Sequence, residues 1–155
     1  MAQQRIVVGL DASAAARDAL WWAVREAARI GASVLVVTAW PDRDRAAARD
    51  RDALFEARLD LHRMQRDRIA EAAAGLSPRP PIVRELVLAE PVTALSHAAT
   101  IADVVVIGSD TANGLRRKSL PATLARQLTH HRHPAVLVVA TARATEPAPV
   151  LTPAA

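Results

Sequence analysis

The chain has 155 residues, 51% apolar and 23% charged, a balance that points to one globular domain and excludes an intrinsically disordered chain. It has no cysteine, so a disulfide framework, a thiolate metal site and a cysteine nucleophile are all excluded. The net charge of +4 is carried almost wholly by arginine, and the arginines alternate with acids, as in PDRDRAAARDRDALFEARLD, which reads as a solvated helix face rather than a stripe for nucleic acid.

The N-terminus, MAQQRIVVGLD, lacks a charged segment followed by a long apolar one, so no signal peptide is read and the expected location is cytoplasmic. No apolar run reaches the roughly 18 residues of a membrane-spanning helix, and no membrane partner is expected. Arg5 to Leu10 is a short run rich in β-branched residues and predicts a buried strand ending at Asp11. Asp11-Ala12-Ser13 offers a helix N-cap. From Ala14 to Ile30, Leu20, Val24 and Ala27/Ala28 share one stripe, and Gly31 stops the predicted helix. Of the adjacent Trp21 and Trp22, one is expected to pack inward and the other to lie on the helix surface. Ser33 to Ala39 predicts a second buried strand, broken by Trp40-Pro41-Asp42.

Arg43 to Leu76 reads as a long helix. Leu54, Ala57, Leu61 and Met64 recur at helical spacing, Ile69, Ala73 and Leu76 continue the apolar side, and Gly75 with Ser77-Pro78 ends it. Pro81 to Leu88 predicts a third strand, with prolines at its entry where a missing N–H is tolerated. Pro91 suits the first turn of a short helix with Val92, Leu95 and Ala98/Ala99 inward. Asp103 to Gly108 predicts a fourth strand, Ser109 to Ser119 a polar loop, Leu120 to His131 a helix, and Pro134 to Ala140 a fifth strand. Residues 1–141 are thus one α/β domain, and the Pro/Ala-rich residues 142–155 form a tail with too few core residues to fold alone. Strands that are apolar throughout need cover on both faces, so the expected fold is an open, doubly wound, five-stranded parallel sheet.

In such a sheet ligands bind beyond the C-terminal strand ends, at the point where strand order reverses. Asp11 stands at one such end, as a helix cap or as a group facing a ribose hydroxyl or a phosphate-bound metal ion. Ser109 to Ser119 leads into a helix start whose free N–H groups favour anions. Gly108 permits close backbone approach, Asn113-Gly114 a tight turn, and Arg116, Arg117 and Lys118 add positive charge, with Thr123 supplying a hydroxyl. The alternative for this segment is an ordinary surface loop with a basic tip. His130, His131 and His133 do not converge on one face of a helix and are read as packing and charge at a helix end rather than as metal ligands. His62 and His97 are read as structural. No nucleophile elbow, zinc-protease helix, P-loop or dinucleotide fingerprint is present.

Three features together resemble the universal stress protein family. They are V-x-x-D-x-S after the first strand, V-V-V-I-G-S ending the fourth, and the run L-T-H-H-R-H-P-A-V-L-V-V, Leu128 to Val139, into the last. The resemblance spans about residues 4 to 140. It implies the strand order 3-2-1-4-5 and a homodimer through the last strand, Ala135 to Ala140. It implies ATP or a related nucleotide as ligand, with Mg²⁺, and a role as a stress-response regulator that acts on a protein partner. Carried over by position, Gly108 is the first motif glycine, Thr123 the motif hydroxyl, Asp11 the aspartate near the nucleotide, and the main chain near Thr38 and Ala39 the adenine contact. Thr111 and Ala122 stand where the motif has its second and third glycines, and Gly114 reshapes the loop between them. Those replacements keep a second reading open, a dimer of the same type that has lost nucleotide binding and acts through protein contacts. A nucleotidyl transferase or ATP pyrophosphatase would need H-x-G-H or S-G-G-x-D-S after the first strand, where this chain has G-L-D-A-S; at most slow ATP hydrolysis is expected.

Overall fold

A computed structural model describes residues 3–41, 50–110, 120–128 and 135–141, with the backbone alone at 110, 120–122, 125 and 135–141. Nine elements alternate along these residues: β1 (Arg5–Gly9), α1 (Ala14–Ile30), β2 (Ser33–Ala39), α2 (Arg51–Ala72), β3 (Ile82–Val87), α3 (Pro91–Ala99), β4 (Val104–Asp110), α4 (Leu120–Leu128) and β5 (Ala135–Thr141). The five strands form one parallel sheet in the order β3-β2-β1-β4-β5. The α/β class and the parallel sheet are those expected from the apolar strands.

The period of two along each strand divides the interior into two layers. Ile6 and Val8 of β1, Leu10 just after it, Val34 and Val36 of β2 and Val106 of β4 face α1, meeting Ala16, Ala19, Leu20, Ala23, Val24 and Ala27. Val7, Leu35, Val37, Val105 and Ile107 face the other way and pack on Ala94, Leu95, Ala98 and Ala99 of α3 and Leu124 and Leu128 of α4. Alanine dominates the buried stripe of α1, so this helix can lie close to the sheet. Trp22 packs against the first layer, while Trp21 is 49% exposed and lies under the Arg25 guanidinium, 4.1 Å from the ring centre.

Several boundaries differ from those read in the sequence. α2 is capped by the Asp50 carboxylate, which accepts from Ala53 N–H at 2.6 Å, and residues 43–49 of the expected helix lie outside the described residues. Its C-terminal end comes at Ala72 rather than Leu76, because the chain turns at Gly75 with φ +76°, a conformation glycine adopts without strain. Leu54, Ala57, Leu61 and Met64 are only half-buried; the fully buried side chains of α2 are Gln65 and Ala72. β4 continues two residues past Gly108, since Ser109 and Asp110 still pair with Ala140 and Thr141. β3 is an edge strand, and its exposed Val83 and Glu85 show why its pattern is less apolar than that of its neighbours.

Across the outer surface, Arg17 of α1 pairs with Glu71 of α2. Hydrogen bonding from Arg17 holds the Glu71 carboxyl below the ordinary carboxylate range, with Arg68 adding to the effect. A lowered folded value gives a contribution to stability that is present at neutral pH and is lost as the pH falls through that value. Glu71→Gln is therefore expected to flatten the acid limb of the stability profile between about pH 5 and 3, read by urea unfolding at each pH, and to leave the profile above pH 6 parallel to the parent's.

Candidate functional site

Strand order reverses between β1 and β4: β1 is followed on one side by β2 and β3, and the chain then crosses to β4 on the other. At such a reversal the flanking connections leave in opposite directions and a crevice opens above the strand ends. Here it is a small, partly open cleft of about 90 Å³. The ends of β1 (Gly9, Leu10, Asp11), β2 (Val37, Ala39) and β4 (Ile107, Gly108) form its floor. Ser13 and Ala16 of α1 form one wall, and Pro91 and Leu95 of α3 form the other.

The α1 wall is built from local hydrogen bonds. Asp11 accepts from Ser13 N–H through Oδ1 at 2.8 Å, and Ser13 in turn accepts from Ala16 N–H through Oγ at 3.1 Å. The cap of α1 is thus Ser13, in extended conformation, and the cap role considered for Asp11 passes to it. Asp11 instead shapes the turn before the helix and stays exposed at the cleft rim. Ser13→Ala is expected to lower stability by about 1 kcal/mol, seen as a lower urea midpoint with an unchanged slope.

Gly108 is a close-approach glycine, but its near neighbour is the protein itself. A Cβ built on it would lie 2.2 Å from both the carbonyl carbon and oxygen of Ala15 and 2.6 Å from Ala16 N. The first turn of α1 therefore rests directly on the backbone of β4. This contact aims the positive end of the α1 dipole across the cleft mouth. On the other side, a Cβ on Gly9 would meet the two Leu95 methyls at 3.2 and 3.3 Å, so Leu95 fills the space that a side chain at Gly9 would occupy.

The residues singled out in the sequence are distributed unevenly. Asp11, Ala39 and Gly108 come together in the cleft. Thr38 does not line it: its side chain is 2% exposed and points to the opposite face of the sheet, where its Oγ1 accepts from Gln65. Thr123 is half-buried within α4 and is not among the lining residues. Ala122 belongs to α4 with its backbone alone described, and Thr111 and Gly114 lie outside the described residues, as do His130, His131 and His133. The apolar walls, Ala16, Val37, Pro91, Leu95 and Ile107, were not singled out as site residues. Their signal was the same spacing that put Leu95 and its neighbours inward. Among the described residues, no three His, Asp or Glu side chains gather closely enough to hold a metal ion, and no helix is long and apolar enough to cross a membrane.

A crystal structure of a universal stress protein in complex with cAMP is 29% identical, with 91% of this chain and 99% of that one aligned and a TM-score of 0.59. A universal stress protein from Archaeoglobus fulgidus in complex with dAMP is 22% identical, over 89% and 98% of the two chains, with a TM-score of 0.56. A universal stress family protein from Arabidopsis thaliana with AMP bound is 14% identical, over 92% and 94%, with a TM-score of 0.56. No match was found among curated protein sequences. The profile of the universal stress protein family matches residues 3–140, from the strand that precedes the cleft to the last strand of the sheet, and the chain belongs to that family.

Proposed function

We propose that this chain binds an adenine nucleotide, ATP or a close relative, in the cleft between β1 and β4, and that occupancy makes it a stress-response regulator. The observation that carries this reading is the convergence, in one cleft, of the end of β2 at Ala39, the exposed Asp11 carboxylate and the first turn of α1. In this reading the base lies against Val37, Leu95 and Ile107, and ribose and phosphate extend over the polar rim toward solvent. The relative at 29% identity is a cAMP complex, which supports the same ligand class here. Asp11 is the carboxylate to which a Mg²⁺ carried by the phosphates would turn. Thr111, Gly114, Ala122 and Thr123 are the residues assigned to the phosphate side.

A homodimer through Ala135 to Ala140 belongs to the same proposal. β5 is an edge strand of the sheet, and an edge offers unpaired peptide groups to a second copy. In this reading residues 1–141 are the folded unit, 142–155 a tail, and the protein works in the cytoplasm. Isothermal titration with ATP and Mg²⁺, and with AMP, tests the ligand; absence of heat at millimolar nucleotide rejects it. Light scattering at two protein concentrations tests the dimer.

A second reading has its own observation. The near neighbour of Gly108 is the backbone of α1, so this glycine is explained without a nucleotide, and Thr111 and Ala122 replace the other motif glycines. A family dimer that acts through protein contacts alone would have this pattern. If Thr111→Gly with Ala122→Gly binds ATP and the parent does not, this second reading holds.

A further inference from the structure

Gln65 is the one large side chain that α2 buries completely, at 0% exposure. A leucine would fill a similar volume without removing an amide from water, so the amide needs a reason. Its Nε2 donates twice, to Thr38 Oγ1 at 2.9 Å and to the Glu85 carbonyl at 2.8 Å. One side chain thus ties α2 to the closing residues of both β2 and β3. Its Oε1 has no partner among the described residues, so donation alone holds the amide in place.

The tie lies directly behind the cleft. Thr38 precedes Ala39, and alternate residues of a strand face opposite ways, so Thr38 meets Gln65 while Ala39 lines the cleft. The last hydrogen bond between β1 and the end of β2 is Leu10 N–H to Val37 O, 2.9 Å. Beyond it, β2 keeps β3 on one side, with Trp40 N–H donating to Val87 O at 2.7 Å, and has the cleft on the other. A strand end supported on one side only is prone to fray, and the Gln65 amide opposes that.

We propose that Gln65 is a positioning residue that, through Thr38 and the Glu85 carbonyl, fixes the main chain at Ala39 so that the cleft discriminates between purine bases. The inference rests on the nucleotide reading of the cleft. A 6-amino purine presents a donor where a 6-oxo purine presents an acceptor. A peptide edge held in one place distinguishes the two, whereas one free to shift adapts to both.

The test titrates AMP and IMP into the full chain and into Gln65→Met, Thr38→Val and Thr38→Ser, with thermal unfolding of each protein alongside. The parent is expected to favour AMP. Gln65→Met and Thr38→Val each lower the AMP-to-IMP affinity ratio about tenfold, the worth of about one buried hydrogen bond, while Thr38→Ser, which keeps the hydroxyl, retains it. A purely structural role would weaken both ligands in proportion and leave the ratio unchanged. An unchanged ratio in folded variants, or a parent without preference for AMP, overturns the inference. A parent that binds neither ligand overturns the nucleotide reading itself. Should Gln65→Met not fold, Thr38→Val, which keeps the shape of the side chain, decides the matter.

Discussion

Replacing Gly108 with alanine is expected to lower the unfolding free energy by about 3 kcal/mol, the upper part of the range for overpacked sites. The added methyl would stand 2.2 Å from the Ala15 carbonyl and 2.6 Å from Ala16 N. These are main-chain atoms of a helix whose next residues, Ala16, Ala19 and Leu20, are locked in the core, so no rotamer change relieves the contact. Either α1 lifts from the sheet or β4 bends away from it. Urea unfolding measures the loss, and a midpoint within error of the parent's would show that α1 does not rest on β4 as described. The same substitution widens or skews the cleft, so nucleotide affinity should fall with stability.

Ala39→Phe separates binding from folding. Ala39 is half-buried at the end of β2, lines the cleft and borders the second core layer, so a phenyl ring there takes up cleft space. A ring that buries on the order of 150 Å² or more takes up the space assigned to the base. AMP affinity is expected to drop at least about 100-fold, or roughly 2.7 kcal/mol, with thermal unfolding checking that the variant is folded. A folded variant that still binds AMP as the parent does would place the nucleotide elsewhere on the molecule.

Much of the fold was legible because its central strands are apolar on both faces. Val7, Val8, Val36, Val37, Val105 and Val106 are all buried, and runs of that kind have one home, the middle of a parallel sheet between helices. α1 was equally clear, since its cap, its alanine stripe and Gly31 agree at every level. α2 was less clear. Its half-buried leucines produced a helical period, but the residue that reaches deepest is Gln65, and a polar side chain carries no periodic signal until its partners, Thr38 and Glu85, are known.

The site divides in the same way. Asp11, Ala39 and Gly108 stand at strand ends, and strand ends can be located from local sequence. The reason for Gly108 could not be, because the atoms it makes room for lie more than ninety residues earlier, in Ala15 and Ala16. The opposite wall depends on α3 crossing above β1, a relation set by topology rather than by any neighbour in the chain. At Thr38 the expectation concerns the main chain, and the hydroxyl, to which the motif gives no role, serves the far side of the sheet.

The cleft has one hard jaw and one soft jaw. On the side of α1, main chain meets main chain across Gly108, and nothing there can yield by side-chain rotation. On the side of α3, the boundary is drawn by the methyls of Leu95, a buried side chain packed in the second core layer. Widening the cleft on that side therefore means repacking Leu95 within its layer, whereas on the other it means moving main chain.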